Sequence, residues 1–326
     1  MDSLPLTLSN AIDRELASIP PDKLRKACAE LTQRYAQKQA METQLHRQAY
    51  IAARLPATYG VVRDVFRRIT TPHLTSIKSL LDLGAGVGSL AWAAKEAIST
   101  LQHVTLFEKD VELLHLGQHL TQDHLTPLQV AWCRDDITQA ENFPPHDAVV
   151  LSYVLNELHP TEQLHVLKRA YQAAKKFLIL IEPGTPQGFG HLSIARQLLL
   201  KLGAHSVAPC PHNGECPLTP AFKEKKDWCH FNVRIPRGKY HKQAKEGTLP
   251  YEDEKYAYLV VSPQVRPLPQ GRVIKAPMRR TGHVILDLCT HKEDLKRRVV
   301  SKKEGNAYVK ARDSNWGDER GEDDRL

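Results

Sequence analysis

Between Ser79 and Leu202, short apolar runs alternate with longer amphipathic stretches, and this alternation restricts the fold more than any other feature of the chain. Leu80–Leu83, Val104–Glu108, Val130–Cys133, Ala148–Ser152 and Phe177–Ile181 read as strands, and residues 88–99, 110–121, 160–175 and 187–202 read as helices. Strands separated by helix-length crossovers run parallel, and a parallel sheet needs helices on both faces. An α/β domain is therefore expected over 71–204, preceded by a helical region over 1–70. Within that region a helix should start after Pro20-Pro21, and at Pro56 one helix should end and another begin. Past Leu202 the alternation stops. Residues 205–250 form a Cys-rich basic insert with three cysteines, four histidines and few residues able to build a core. Tyr256–Ser262 and Gly282–Cys289 read as strands within a C-terminal segment, 251–312, and an acidic tail over 313–326 should be mobile.

At 326 residues the chain can bury a core without disulfides. No apolar run approaches the ~18 residues of a membrane span. Met1-Asp2-Ser3-Leu4-Pro5 lacks the basic start and apolar core of a secretory signal, and Asp13 and Glu15 argue against a transit peptide. On those features the expected location is the cytoplasm. Six cysteines in an intracellular chain point to metal binding or catalysis rather than to disulfides. The net charge of +8 is concentrated: Val265 to Arg312 holds thirteen Lys or Arg against four Asp or Glu. Such a face suits a polyanion such as nucleic acid, or is a solvated lysine-rich surface.

The first motif, Leu80-Leu81-Asp82-Leu83-Gly84-Ala85-Gly86-Val87-Gly88-Ser89, lies where a strand becomes a helix. Glycines there permit a tight turn and close approach of backbone to a ligand. Position 89 is Ser where the dinucleotide fingerprint needs Gly or Ala. Asp82, two residues before the first glycine, is a poor neighbour for a pyrophosphate and a good one for an ammonium. The pattern resembles motif I of class I S-adenosylmethionine-dependent methyltransferases. That resemblance implies cofactor contacts from Asp82, Gly84, Gly86 and Gly88, from Glu108 to the ribose hydroxyls, and from Asp135 and Asp136 near the adenine.

The loop after the fourth strand, Leu151-Ser152-Tyr153-Val154-Leu155-Asn156-Glu157-Leu158-His159, lacks the polar-Pro-Pro-aromatic sequence used to methylate exocyclic base nitrogens. It also lacks the Pro-Cys of pyrimidine C5 transfer. Asn156, Glu157, His159 and Tyr153 offer polar or stacking contacts, whereas Leu155 and Leu158 suit packing. No catalytic residue is assigned.

The second motif is Cys210-Pro211-His212-Asn213-Gly214-Glu215-Cys216-Pro217 followed by Trp228-Cys229-His230-Phe231, with Cys289 ending a later strand. Four thiolates would order a segment that has little core of its own. Zinc and an iron–sulfur cluster both accept four cysteines, and spacing does not separate them.

These cysteine motifs, Gly282-His283-Val284-Ile285-Leu286-Asp287-Leu288-Cys289, Ala53-Arg54-Leu55-Pro56-Ala57-Thr58-Tyr59 and the glycine loop together resemble the methyltransferase-like protein 17 family. The similarity spans about residues 50–317. It implies a class I methyltransferase (Rossmann-like) fold, S-adenosylmethionine binding and a [4Fe–4S] centre held by Cys210, Cys216, Cys229 and Cys289. It also implies association with small-subunit rRNA during ribosome assembly. Arg279, Arg280, Arg297, Arg298, Lys302 and Lys303 are then the expected phosphate contacts. With no transit peptide expected, the chain reads as a bacterial member. An active rRNA methyltransferase, and a small-molecule methyltransferase with structural zinc, are the alternatives.

Overall fold

The computed structural model describes residues 3–321 apart from 38, 123 and 225. The chain opens with helices α1 (Leu6–Leu16), α2 (Pro21–Ala36), α3 (Gln44–Arg67) and α4 (Thr71–Leu74). Pro21 starts α2 at a position where a missing N–H costs nothing. The Thr43 hydroxyl caps α3 by accepting from the His46 N–H at 3.1 Å. Pro56 does not end this helix, contrary to expectation: α3 runs unbroken through it. Pro56 offers no N–H to the Ala52 carbonyl, a loss that packing offsets. Ile51, Leu55, Val61, Val62, Val65 and Phe66 are all buried, each worth roughly 1.5–3 kcal/mol when fully removed from water.

The alternating stretch follows as β1 (Ser79–Leu83), α5 (Ser89–Ala97), β2 (His103–Glu108), α6 (Val111–Thr121), β3 (Gln129–Arg134), β4 (His146–Ser152), α7 (Pro160–Ala173), β5 (Ala174–Pro183) and α8 (Pro186–Lys201). Every strand and helix expected here forms, within one to three residues at each end. Asp110 caps α6, accepting from the Glu112 and Leu113 N–H groups at 3.0 and 3.1 Å. Thr185 caps α8 in the same way.

Beyond Leu202 come β6 (His205–Ala208), α9 (Thr219–Lys223), β7 (Phe231–Pro236), α10 (Lys239–Lys245), β8 (Tyr251–Ser262), β9 (Gly271–Val273), β10 (Met278–Arg280), β11 (His283–Thr290), β12 (Leu295–Ser301), α11 (Asn306–Asp313) and β13 (Glu319–Arg320).

The chain divides into two units, residues 1–173 with 233–254 and residues 174–232 with 255–326. In the first, the parallel strands lie in the order β3-β2-β1-β4, with Asp82 of β1 opposite Leu106 and Val150. Chain direction across the sheet reverses between β1 and β4, which leaves a crevice at the carboxyl ends of the strands. In the second unit, β8 runs antiparallel to both β5 and β6. The chain has a class I methyltransferase-like α/β fold, with parallel strands and with β8 reversed against β5 and β6.

A separate antiparallel sheet in the second unit is built on β11, which pairs with β12, β10 and β9, while β13 pairs with β9. Val273, Val284, Leu286, Leu288 and Val300 form its core beneath Ala311 of α11. The basic stretch after Cys289 is thus a strand and a helix. The acidic tail also departs from expectation: Ser314 and Arg320 are buried, and the Arg320 guanidinium donates to the Ser314 hydroxyl at 2.9 Å. Residues 322–326 lie outside those described. Among the described residues no helix is long and apolar enough to cross a membrane.

Candidate cofactor cleft and cysteine pocket

The glycine loop hangs on β2. The N–H groups of Gly84 and Ala85 both donate to the Phe107 carbonyl, at 3.0 and 2.9 Å. Gly84, Gly86 and Gly88 have φ of +83°, +56° and +78°, values that L side chains adopt only under strain. A Cβ on Gly84 would stand 2.7 Å from the Val154 side chain, and one on Gly86 would stand 2.8 Å from the Tyr50 hydroxyl. The loop is thus closed over by Val154 after β4 and by Tyr50 from α3.

Two carboxylates sit under this loop. Glu108 accepts from the N–H of Gly86 and of Asp110, each at 2.8 Å, one on each oxygen. Burial raises its pKa, and the N–H groups of Asp110, Gly86 and Lys109 oppose the rise. Asp82 is 2% exposed, and its Oδ1 has no hydrogen-bond partner. Burial, and then the charge of Glu108, push its carboxyl up to about 8. A buried carboxylate oxygen without a donor is costly unless something cationic reaches it. These acceptor oxygens suit a ligand carrying an ammonium. Asp136 is partly committed elsewhere, since Oδ1 accepts from the Thr138 N–H and hydroxyl at 2.9 and 2.8 Å. Asp135 is exposed after β3.

After β4, Leu155 and Leu158 are buried packing residues, and their carbonyls accept from the Gln163 side chain. Glu157 and His159 are exposed. Tyr153 takes φ of +63°, a strained value that turns the chain so that Val154 faces Gly84.

In the second unit Cys210, Cys216, Cys229 and Cys289 line one cavity of about 60 Å³, together with Phe189, Leu218 and Ile274. By that measure one water needs ~10–15 Å³, so the space holds several heavy atoms. Among the described residues, no three His, Cys, Asp or Glu side chains stand close enough to grip one metal ion. Burial, then the nearby sulfurs of Cys210, Cys216 and Cys289, push the Cys229 thiol well up. Cys289 and Cys216 are raised for the same reasons. The His212 imidazole Nε2 lies 3.5 Å from Cys289 Sγ. Arg196 donates to the His212 carbonyl at 2.9 Å, and the fully buried Arg272 donates to the carbonyls of Pro209 and Gly317. Nothing in the sequence around Arg196 or Arg272 marked them as neighbours of the cysteines. The insert was expected to lack a core, yet Phe189, Leu218 and Ile274 form one, against which Cys216, Cys229 and Cys289 pack.

The sequence profile of the family described as "Mitochondrial small ribosomal subunit Rsm22" matches residues 44–320. The chain belongs to the Rsm22 family. It is 26% identical to Rsm22-cox11 tandem protein 2 of fission yeast (Schizosaccharomyces pombe), over 83% of this chain and 42% of that protein. It is 25% identical to the human ribosome assembly protein METTL17, over 82% of this chain and 61% of that protein. The chain therefore spans less than two thirds of the length of each of these relatives. Among solved structures, magnesium protoporphyrin IX methyltransferase from Synechocystis with bound S-adenosylmethionine superposes with a TM-score of 0.42 at 14% identity, over 80% of this chain and 99% of that one. Both curated relatives are mitochondrial proteins, as is the budding yeast (Saccharomyces cerevisiae) ribosome assembly protein RSM22. These matches overturn the expectation of a bacterial, cytoplasmic chain, which rested on the look of the N-terminus.

The six basic residues singled out in this Rsm22-family chain are not equivalent. Arg279 donates to the carbonyls of Arg312 and Ser314, at 2.7 and 2.6 Å, and so holds the end of α11. Arg297 grips Asp287 with two hydrogen bonds across the β11–β12 pair. Arg298 pairs with Glu304. Arg280, Lys302 and Lys303 are exposed and make no ion pair among the described residues. In the first unit, Lys245 and Arg237 are drawn to Glu252, which leaves less of that basic stretch for a partner.

Proposed function

We propose that this chain is an assembly factor of the small ribosomal subunit that binds rRNA and holds S-adenosylmethionine and a four-cysteine iron–sulfur centre. The observation that carries it is the family match over 44–320, a span that contains the glycine loop, Asp82, Glu108 and all four pocket cysteines. The names of the relatives point to ribosome assembly in mitochondria.

At the glycine loop, Asp82 would take the ammonium of S-adenosylmethionine and Glu108 the ribose hydroxyls, while Gly84, Gly86 and Gly88 let the backbone approach. Glu108 retains acceptor capacity beyond its backbone N–H partners for that purpose. Asp135 and the uncommitted oxygen of Asp136 stand after β3, where an adenine would lie. When bound, the cofactor supplies an electrophilic methyl group on its sulfonium. A ligand with a sulfonium as well as an ammonium suits two buried carboxylates better than the thioether product, which keeps the ammonium alone.

In the second unit Cys210, Cys216, Cys229 and Cys289 would ligate the cluster. Four thiolates on one zinc lie about 3.8 Å apart, given Zn–S bonds of ~2.3 Å in a tetrahedron. A cluster holds its thiolates at the corners of a larger core, which suits sulfurs that share a cavity without closing on one point. The nearby Arg196 and Arg272 offset the negative charge such a centre carries, and an N–H from His212 to Cys289 would orient that ligand. The centre is structural here, tying Cys210, Cys216 and Cys229 to β11.

Arg280, Lys302 and Lys303 supply phosphate contacts, while Arg279, Arg297 and Arg298 first build the surface that carries them. Co-sedimentation of the full chain with small-subunit particles tests the proposal. Retention that weakens steeply with salt is expected, and no retention at low salt refutes it.

A further inference from the structure

α3 contributes more to the glycine loop than a packing surface. Its Tyr50 hydroxyl lies over Gly86, 2.8 Å from where a Cβ would stand, and the ring carbon bearing it lies at 3.4 Å. One helical turn later on the same face is Arg54, a half-buried arginine. Arg54 stacks over the Tyr35 ring of α2 at 5.8 Å. It makes no ion pair among the described residues, although Glu254 lies within electrostatic range. Within electrostatic range of the Tyr50 hydroxyl are Glu108 from β2, Glu157 from the loop after β4, Asp82 from β1, and Arg54 as the cation.

The charges are complementary to a zwitterion. Asp82, buried and short of a donor, suits an ammonium; the glycine loop itself brings no cation for a carboxylate. A half-buried guanidinium with no anion at contact distance keeps its fork open for a carboxylate, which it can bind with two parallel hydrogen bonds.

We propose that Tyr50 and Arg54 form a carboxylate clamp for the amino-acid end of the ligand held by the glycine loop. The clamp presupposes that this cleft holds S-adenosylmethionine, as proposed above. It makes the segment Tyr50 to Arg54, which leads into Ala53–Tyr59, part of the cofactor site. Tyr50 stays protonated beside three carboxylates and so donates its O–H. Arg54 provides the charge. Tyr35 holds the guanidinium plane, as a positioning residue.

The test is titration calorimetry on the full chain with two probes, S-adenosylmethionine and its decarboxylated analogue, which keeps the ammonium and sulfonium. The wild-type chain should bind S-adenosylmethionine about tenfold to hundredfold tighter, the usual worth of a charge-assisted contact. Arg54→Met should erase that preference while leaving affinity for the analogue within about threefold, and Tyr50→Phe should reduce it by several fold. A wild-type chain that binds both probes equally, or favours the analogue, overturns the clamp without needing any variant to fold. So does an Arg54→Met variant that keeps the preference. A wild-type chain that binds neither probe overturns the cofactor assignment as well, which separates the two failures.

Discussion

Replacing Asp82 by Asn tests the cleft at its most constrained group. The carboxyl is 2% exposed, its Oδ1 lacks a donor, and burial and Glu108 push it up to about 8. A raised carboxyl means that the folded chain keeps a proton that the unfolded chain has lost. Stability of the ligand-free protein therefore falls as pH rises from about 4 to about 8, and levels off above that. At ~1.4 kcal/mol per pH unit, the group costs at most about 6 kcal/mol at pH 8.5. Asn has the same shape and no charge. Urea denaturation from pH 5 to 9 should show Asp82→Asn more stable than wild type by a few kcal/mol at pH 8.5, with a flatter pH dependence; Glu108, also raised, leaves a residual slope. Affinity for S-adenosylmethionine should move the other way. Loss of a charge-assisted contact to an ammonium costs ~1.5–3 kcal/mol, about tenfold to hundredfold weaker binding at pH 8.5. Wild-type binding should release a proton at pH 7, seen as a dependence of the calorimetric heat on the buffer, and the variant should release less. Parallel pH slopes for the two proteins, or an Asn variant that is less stable at pH 8.5, would refute the picture of a strained, waiting carboxylate.

Gly84→Ala should destabilise the chain by ~2 kcal/mol in urea, since it combines a φ of +83° with a 2.7 Å approach to Val154. Adding Val154→Ala should recover the steric part of that loss, and failure to recover it would show that the contact is unimportant. On the proposed shared centre, Cys289→Ser should lower both the melting temperature and rRNA retention; unchanged melting and retention would count against that centre. The double variant Lys302→Ala, Lys303→Ala should reduce the slope of log affinity against log salt by about 1.4–1.8 for an rRNA fragment. Arg297→Ala should reduce it less, since its guanidinium already bonds Asp287.

The α/β core was legible because its strands are continuous apolar runs with glycine or polar breaks between them: Leu80, Leu81, Leu83, Val149, Val150 and Leu180 are all fully buried. The glycine loop could be placed because Gly84, Gly86 and Gly88 meet a backbone need that few other residues satisfy. Pro56 misled, since proline weakens a helix only locally and the buried face of α3 outweighs one lost hydrogen bond. β12 was hidden by its composition. Lys296, Arg297 and Arg298 read as a charge run, yet backbone pairing with β11 makes the strand, and only Val300 enters the core. Arg279, Arg297 and Arg298 look alike in sequence to Arg280; only three-dimensional neighbours such as Asp287 and Glu304 show which cations are already engaged. The Tyr50–Gly86 approach was equally invisible, because nothing in a helical Ala-Tyr-Ile run says what its tyrosine covers. The N-terminal residues misled about location, where comparison with relatives corrected them.

Metal and acid-labile sulfide analysis of the anaerobically purified full chain, with an absorption spectrum, tests the cysteine pocket most directly. About four iron and four sulfide per chain, with charge-transfer absorption that vanishes in Cys229→Ser, is the result expected of a [4Fe–4S] centre on these residues. Stoichiometric zinc without sulfide, or four freely titratable thiols and no metal, would contradict it.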